Sequence, residues 1–234
     1  MREKKNRITQ AVILAAGKGT RMRPLTYKIP KPMLPIKGKP LLEYTLESLP
    51  DQIEEIILVV NYLGEQIKSH FKNSRQGKKI TYVRHDELDG TGGAVYCAKD
   101  LLKGNFLVLN GDDLYFKPDL EKLIREKLAV LAYEVEDPTK YGVLKTDEEG
   151  NLVDVIEKPK TKEFRLINTG AFALTREFFN YELVSIGGGE YGLPQTLAKM
   201  ADKCKIKVVP AKQWLPVGCP EDLKKAEEAI VNFV

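Results

Sequence analysis

Ala15-Ala16-Gly17-Lys18-Gly19-Thr20-Arg21 is the stretch of this chain best suited to chemistry. Two glycines around a lysine let the backbone turn tightly and aim several N–H groups at one point, a nest for an anion. Lys18 and Arg21 add positive charge there. Lys31 follows in Pro30-Lys31-Pro32-Met33-Leu34-Pro35, where the prolines stiffen the backbone and hold a cation in place. The chemistry this permits is binding of a phosphate-bearing ligand. The loop is not a full G-x-G-x-x-G fingerprint, since Met22 stands where a third glycine would. It is not a Walker loop either, since Thr20-Arg21 follows Gly19. Taken alone, it fits a phosphate site and an ordinary surface loop equally well.

Carboxylates form the second set. Asp112 closes Asn110-Gly111-Asp112 behind an apolar run. A carboxylate there can hold Mg²⁺, which takes hard oxygen ligands; an Asx turn is the plain alternative. Asp113 follows, and alternation along a strand turns it to the other face as a supporting group or a cap. Glu157-Lys158 pairs an acceptor with a cation, as a phosphorylated polyhydroxyl ligand requires, although alone it reads as an exposed charged pair. His85, when neutral, offers one donor and one acceptor.

The elements that must position these groups follow from apolar patterning. Ala11–Leu14, Glu55–Val60, Ile80–Arg84 and Phe106–Leu109 are runs of strand length. Between them, 41–49, 64–71 and 91–102 carry helical spacing. This βαβα order predicts an α/β fold with a Rossmann-like, mainly parallel sheet and helices on both faces. In such a sheet ligands bind beyond the carboxyl ends of the strands, so the loops after Leu14, Arg84 and Leu109 are the ones to inspect. Beyond about residue 128, strand-like pieces at 129–135, 142–145, 152–157 and 167–174 are separated by turn chemistry such as Glu148-Glu149-Gly150-Asn151. They predict an antiparallel excursion inserted over the sheet's carboxyl edge. Helical patterns return at 176–181, 192–201 and 221–232. Residues 1–8 read as a basic solvated tail. Residues 9–234 read as one domain in two parts, 9–127 and 128–234.

Composition narrows the classes. The 234 residues carry 37 basic and 33 acidic side chains, net +4, an excess too small to argue for nucleic acid. No apolar run approaches the ~20 residues of a membrane span. Cys97, Cys204 and Cys219 are widely spaced and form no framework, so a reducing cytoplasm is expected. A homo-oligomer stays open.

Gly17-x-Gly19-Thr20-Arg21-x-x-Pro24-Leu25-Thr26, followed by Lys31-Pro32-x-x-Pro35, resembles the signature of the sugar-1-phosphate nucleotidylyltransferases. Further motifs recur to about residue 223. The resemblance implies a glycosyltransferase-A-like fold and transfer between a nucleoside triphosphate and a sugar 1-phosphate, with Mg²⁺. It implies that residues 15–20 wrap the triphosphate, that Arg21 and Lys31 stabilise the reacting phosphates, and that Asp112 binds the metal. Asp89-Gly90-Thr91-Gly92-Gly93-Ala94 resembles the family's loop against the nucleobase, which brings in Gly90 and Thr91. Where uridylyl- and thymidylyltransferases usually place a base-reading glutamine, His85 stands; it can read a pyrimidine edge, and the base stays open. Gly142 then lines the sugar, Glu157 accepts from its hydroxyls, and Lys158 binds its phosphate. Asn168-Thr169-Gly170 matches a further sugar-contacting motif.

One position departs from the pattern. Pro216, in Trp214-Leu215-Pro216-Val217-Gly218, stands where an acidic residue usually gives the metal its second protein ligand. Phosphate oxygens and water, or Asp113, are the substitutes. The departure also motivates a catalytically impaired nucleotide-sugar sensor as the alternative function. A redox enzyme using Gly17-Lys18-Gly19 as a dinucleotide loop is disfavoured by the missing third glycine and the Lys-Pro-rich run where a helix should continue. The left-handed β-helix domain that carries acetyltransferase activity in bifunctional relatives is not expected in these residues, and a monofunctional enzyme is.

Overall fold

Both faces of the first strand are apolar because both are covered. The computed structural model describes residues 7–233. In it, Ala11, Ile13 and Ala15 of β1 (Gln10–Ala15) enter one core, and Val12 enters the other. The chain then runs through two short strands, β2 (Pro35–Ile36) and β3 (Lys39–Pro40), into α1 (Leu41–Glu47). Next come β4 (Glu55–Val60), α2 (Gly64–Phe71), β5 (Ser74–Arg75), β6 (Lys78–Arg84) and α3 (Gly90–Tyr96). The first half closes with β7 (Phe106–Asn110), β8 (Asp113–Tyr115) and α4 (Lys117–Leu123). Strands β7, β1, β4 and β6 lie side by side and parallel. Leu14 stands level with Val59 and Asn110, so the loops after β1 and β7 open at one edge. Helices α1, α2 and α4 cover one face and α3 covers the other.

The second half adds β9 (Ala129–Glu134), β10 (Gly142–Thr146), β11 (Leu152–Glu157) and β12 (Leu166–Leu174). It continues with β13 (Val184–Gly187), β14 (Glu190–Gly192), α5 (Leu193–Ala201), β15 (Lys207–Pro210), β16 (Trp214–Pro216) and α6 (Pro220–Ala229). The expected antiparallel excursion is present, but it does not lie over the carboxyl edge. β12 pairs antiparallel with β7, satisfying its free backbone edge, and so carries β10 and β11 on sideways from the same sheet. β9 flanks β12 on its other side, and β15 pairs parallel with β9. The result is a mixed α/β sheet with a parallel centre and helices on both faces.

Three expectations about elements are corrected. The helix expected through Leu102 stops at Tyr96, where i→i+3 bonds such as Ala98 N–H to Val95 O tighten the chain into a single 3₁₀ turn at Lys99–Leu101. The helix expected at 176–181 is likewise one 3₁₀ turn, Arg176–Asn180, capped by Thr175 accepting from the Glu177 N–H. Ile8, assigned to the tail, is fully buried, and Gln52 Nε2 donates to its carbonyl at 3.0 Å. Arg7 is exposed as expected of a tail residue, and residues 1–6 lie outside the described residues.

A third core cluster supports the active edge. Met22, Leu34 and Ile36 pack with Leu41, Tyr44, Leu114, Val217 and Ala226. Apolar burial therefore fixes the segment that follows the glycine-rich loop. Asp119 pins the neighbouring crossing: fully buried, it accepts from Lys122 Nζ at 3.0 Å and from the backbone N–H groups of Lys212 and Gln213 at 2.6 and 3.1 Å. Asp119→Ala leaves two backbone donors without an acceptor and should cost about 3 kcal/mol, read as a lower denaturation midpoint with an unchanged slope.

Candidate active site

Gly19 shows why the loop needs glycine. Its φ of 59° is left-handed, and a side-chain carbon there would lie 2.9 Å from Lys31 Cβ. Its carbonyl accepts from Thr26 Oγ1 at 2.7 Å and from the Met22 N–H at 3.0 Å. Tyr62 donates to the carbonyls of Thr26 and Tyr27, and Gln66 to that of Lys28, which clamps the far side of the loop to α2 and the turn before it. The loop walls a cleft of about 240 Å³ with Ala15, Gly17, Thr20, Arg21, Lys31 and Asp112 at its lining. Gly218, ahead of α6, closes it. Lys18 and Arg21 make no ion pair with any described residue, so both charges are available to an anion.

Lys31 is buried, and its Nζ lies 2.5 Å from Asp112 Oδ2. Asp112 is set by the turn after β7, where the Gly111 N–H donates to Leu14 O at 2.9 Å. Its side chain remains about a third open to solvent. Asp113 beside it is buried. Burial and the Asp112 charge push its carboxyl up to about 7, against the pull of Lys31 and of a hydrogen bond from Asn110. It is not among the residues lining the cleft, so its expected substitution for the missing metal ligand is not supported. Pro216 of β16 stands opposite Asp113 of β8 and offers no side-chain oxygen. No group of three or more metal-ligating side chains occurs among the described residues. One partly exposed carboxylate in a cleft that also holds Arg21 and Lys31 nevertheless fits Mg²⁺, which is commonly held by one or two carboxylates with substrate phosphates and water.

Beyond Ala16, Gly17, Lys18, Gly19 and Thr20 the cleft widens to about 560 Å³ and reaches Gly90 and Thr91. Gly90 has φ 93°, and a side-chain carbon would meet Tyr191 O at 2.5 Å. Thr91 Oγ1 accepts from the Leu193 N–H at 3.0 Å. His85 forms part of this wall but is only 4% exposed, and its Nε2 is 2.6 Å from Asp89 Oδ1. One of the two ring nitrogens expected to read a base edge is therefore taken by a neighbour. Gly93 permits this, because a side-chain carbon there would lie 1.7 Å from Asp89 Oδ1. Leu88, Ile186 and Glu190 also line this end and were missed in the sequence. Ile186 and Glu190 arrive on the β13–β14 hairpin; the run Gly187-Gly188-Gly189 between them was the available signal.

The sugar-motif residues lie on the antiparallel side. Gly142 of β10 stands opposite Glu157 of β11, and a side-chain carbon at 142 would lie 2.9 Å from Glu157 Oε2. Lys158 is exposed, with its N–H on Tyr141 O. Neither the Glu157 carboxylate nor the Lys158 ammonium is paired with a described residue. Asn168 Oδ1 accepts from the Gly170 N–H at 2.9 Å. Thr169 is not brought to the cleft: it is buried, its hydroxyl donates to Leu131 O at 2.8 Å, and its carbonyl accepts from Tyr115. Gly170 abuts Asn110, which joins this strand to the Asp112 turn.

With a glycine-rich loop, a lysine–carboxylate pair and an adjacent antiparallel flank on an α/β sheet, the chain belongs to the nucleotidyl transferase family, which matches residues 10–232. It is 39% identical over 227 residues to the bifunctional protein GlmU of Methanocaldococcus jannaschii, covering 96% of this chain and 55% of GlmU. The chain thus spans about half the length of the GlmU relatives it matches. It is 37% identical over 217 residues to the D-glycero-alpha-D-manno-heptose 1-phosphate guanylyltransferase of Campylobacter jejuni, covering 91% of this chain and 96% of that protein. The crystal structure of UDP-glucose pyrophosphorylase complexed with UDP-glucose superposes with a TM-score of 0.83 at 26% identity, over 96% of this chain and 99% of that one. No helix among the described residues is long and apolar enough to cross a membrane.

Proposed function

We propose that this protein joins a nucleoside triphosphate to a sugar 1-phosphate, releasing pyrophosphate. The observation that carries the reading is the Lys31–Asp112 pair beside a glycine-rich loop whose Lys18 and Arg21 are unpaired. An oxygen of the sugar phosphate attacks the α-phosphorus of the triphosphate. The bond from that phosphorus to the bridging β-phosphate oxygen breaks, and pyrophosphate leaves with the electron pair. The nucleophile is already an anion at neutral pH, so the protein supplies position and charge rather than a base. Arg21 and Lys31 offset the charge that develops on the phosphates. Lys158 orients the attacking phosphate, and Gly142, Glu157 and Asn168 hold the sugar. Asp112 is the residue that would hold Mg²⁺; bound, the ion would neutralise phosphate charge.

In this reading residues 9–127 serve the nucleotide and 128–234 the sugar phosphate, within one domain. Three separated free thiols suit a reducing cytoplasm. Pyrophosphate release should require Mg²⁺, a nucleoside triphosphate and a sugar 1-phosphate together. A matrix of four triphosphates against several sugar 1-phosphates tests this. Release in no combination overturns the reading; tight nucleotide binding without turnover would favour the sensor that Pro216 suggests.

A further inference from the structure

At the far end of the cleft the sequence offers His85 as the base reader. His85 is buried and its Nε2 is bonded to Asp89, so at most Nδ1 is left for a ligand rather than a donor–acceptor pair. The polar side chains left at that end are Thr91, already accepting from Leu193 N–H, and Glu190. Glu190 is exposed and lines the cleft, and it has no hydrogen bond or ion pair with any described residue. The β13–β14 hairpin holds it over Gly90: Glu190 Cβ is 3.2 Å from where a side-chain carbon at 90 would lie. Tyr191 N–H donates to Asp89 O at 2.7 Å and fastens the hairpin there. Leu88 and half-exposed Ile186 supply apolar surface for a flat ring.

We infer that Glu190 reads the base and that the base is guanine. This rests on the nucleotidyl-transfer reading of the cleft. A carboxylate has two acceptors and no donor. Guanine alone among the common bases presents two adjacent donors, N1–H and the exocyclic N2–H, which match both oxygens of one carboxylate. Uracil and thymine place their single N–H between two carbonyl oxygens, which a carboxylate repels. Adenine and cytosine set their amine beside a ring acceptor. The charge-assisted bidentate pair therefore selects for guanine and against the pyrimidines.

Calorimetric dissociation constants for GTP, UTP, dTTP and ATP, on the wild type and on Glu190→Gln, test the assignment. Glutamine keeps the size but replaces one acceptor with a donor. GTP should bind at least about tenfold more tightly than UTP, a difference of one hydrogen-bonded pair, and Glu190→Gln should remove that preference. UTP or dTTP binding as tightly as GTP, or an unchanged ratio in the variant, overturns it. Pyrophosphate release with the same triphosphates separates the two claims. Selective GTP binding with no turnover upholds the base assignment and sinks the transfer reaction. Turnover with UTP and not GTP does the reverse.

Discussion

Lys31→Ala should lower kcat by about 10²–10³-fold, the usual effect of removing one fixed electrostatic contact to a transition state. The ammonium is buried and already aimed at the cleft, 2.5 Å from Asp112 Oδ2. Its placement costs no reorganisation when the phosphates react. The stem passes within contact of Gly19, so the loop and the cation are built as one piece. The fold should survive, because the variant shortens an amphipathic side chain and leaves Asp112 partly solvated rather than stranded. The measurement is steady-state pyrophosphate release beside a thermal melt. Turnover close to wild type in a folded Lys31→Ala protein would remove Lys31 from the mechanism.

Asp112→Asn should have an effect at least as large, about 10³-fold or more, because no second carboxylate lines the cleft beside Lys31 to take over. Asparagine preserves the size and the turn, so Gly111 can keep its bond to Leu14 O. In the presence of a chelator, triphosphate binding should hold or tighten, since a negative charge next to the phosphates is gone. Loss of Mg²⁺-dependent turnover with retained chelator-insensitive binding is the expected pair of results. An active Asp112→Asn enzyme would show that the metal is held elsewhere.

Which parts of this were legible in the sequence follows from range. The parallel strands were legible because double burial leaves an unbroken apolar run, as in Glu55–Val60. The glycine-rich loop and its cations were legible because glycine spacing and nearby charges are local. The withdrawal of His85 was not, because it depends on Asp89 fitting into the space left by Gly93. Thr169 was misassigned for a similar reason: its acceptor, Leu131 O, is 38 residues away on a neighbouring strand. Glu190 went unnoticed because nothing local ties a glycine-flanked hairpin to a loop some hundred residues earlier; the contact with Gly90 exists only in the fold. Family resemblance supplied the proposed catalytic positions and offered no role at residues 85 and 216, where this chain departs from the family's motif.

The central claim is the attack of a sugar phosphate on the α-phosphorus, and isotope placement tests it most directly. A sugar 1-phosphate labelled with ¹⁸O in its non-bridging phosphate oxygens is turned over with an unlabelled triphosphate and Mg²⁺, and both products are weighed by mass spectrometry. The mechanism predicts a nucleotide sugar that retains every labelled oxygen, with pyrophosphate free of label. Label in the pyrophosphate, or nucleoside monophosphate in place of a nucleotide sugar, would contradict it.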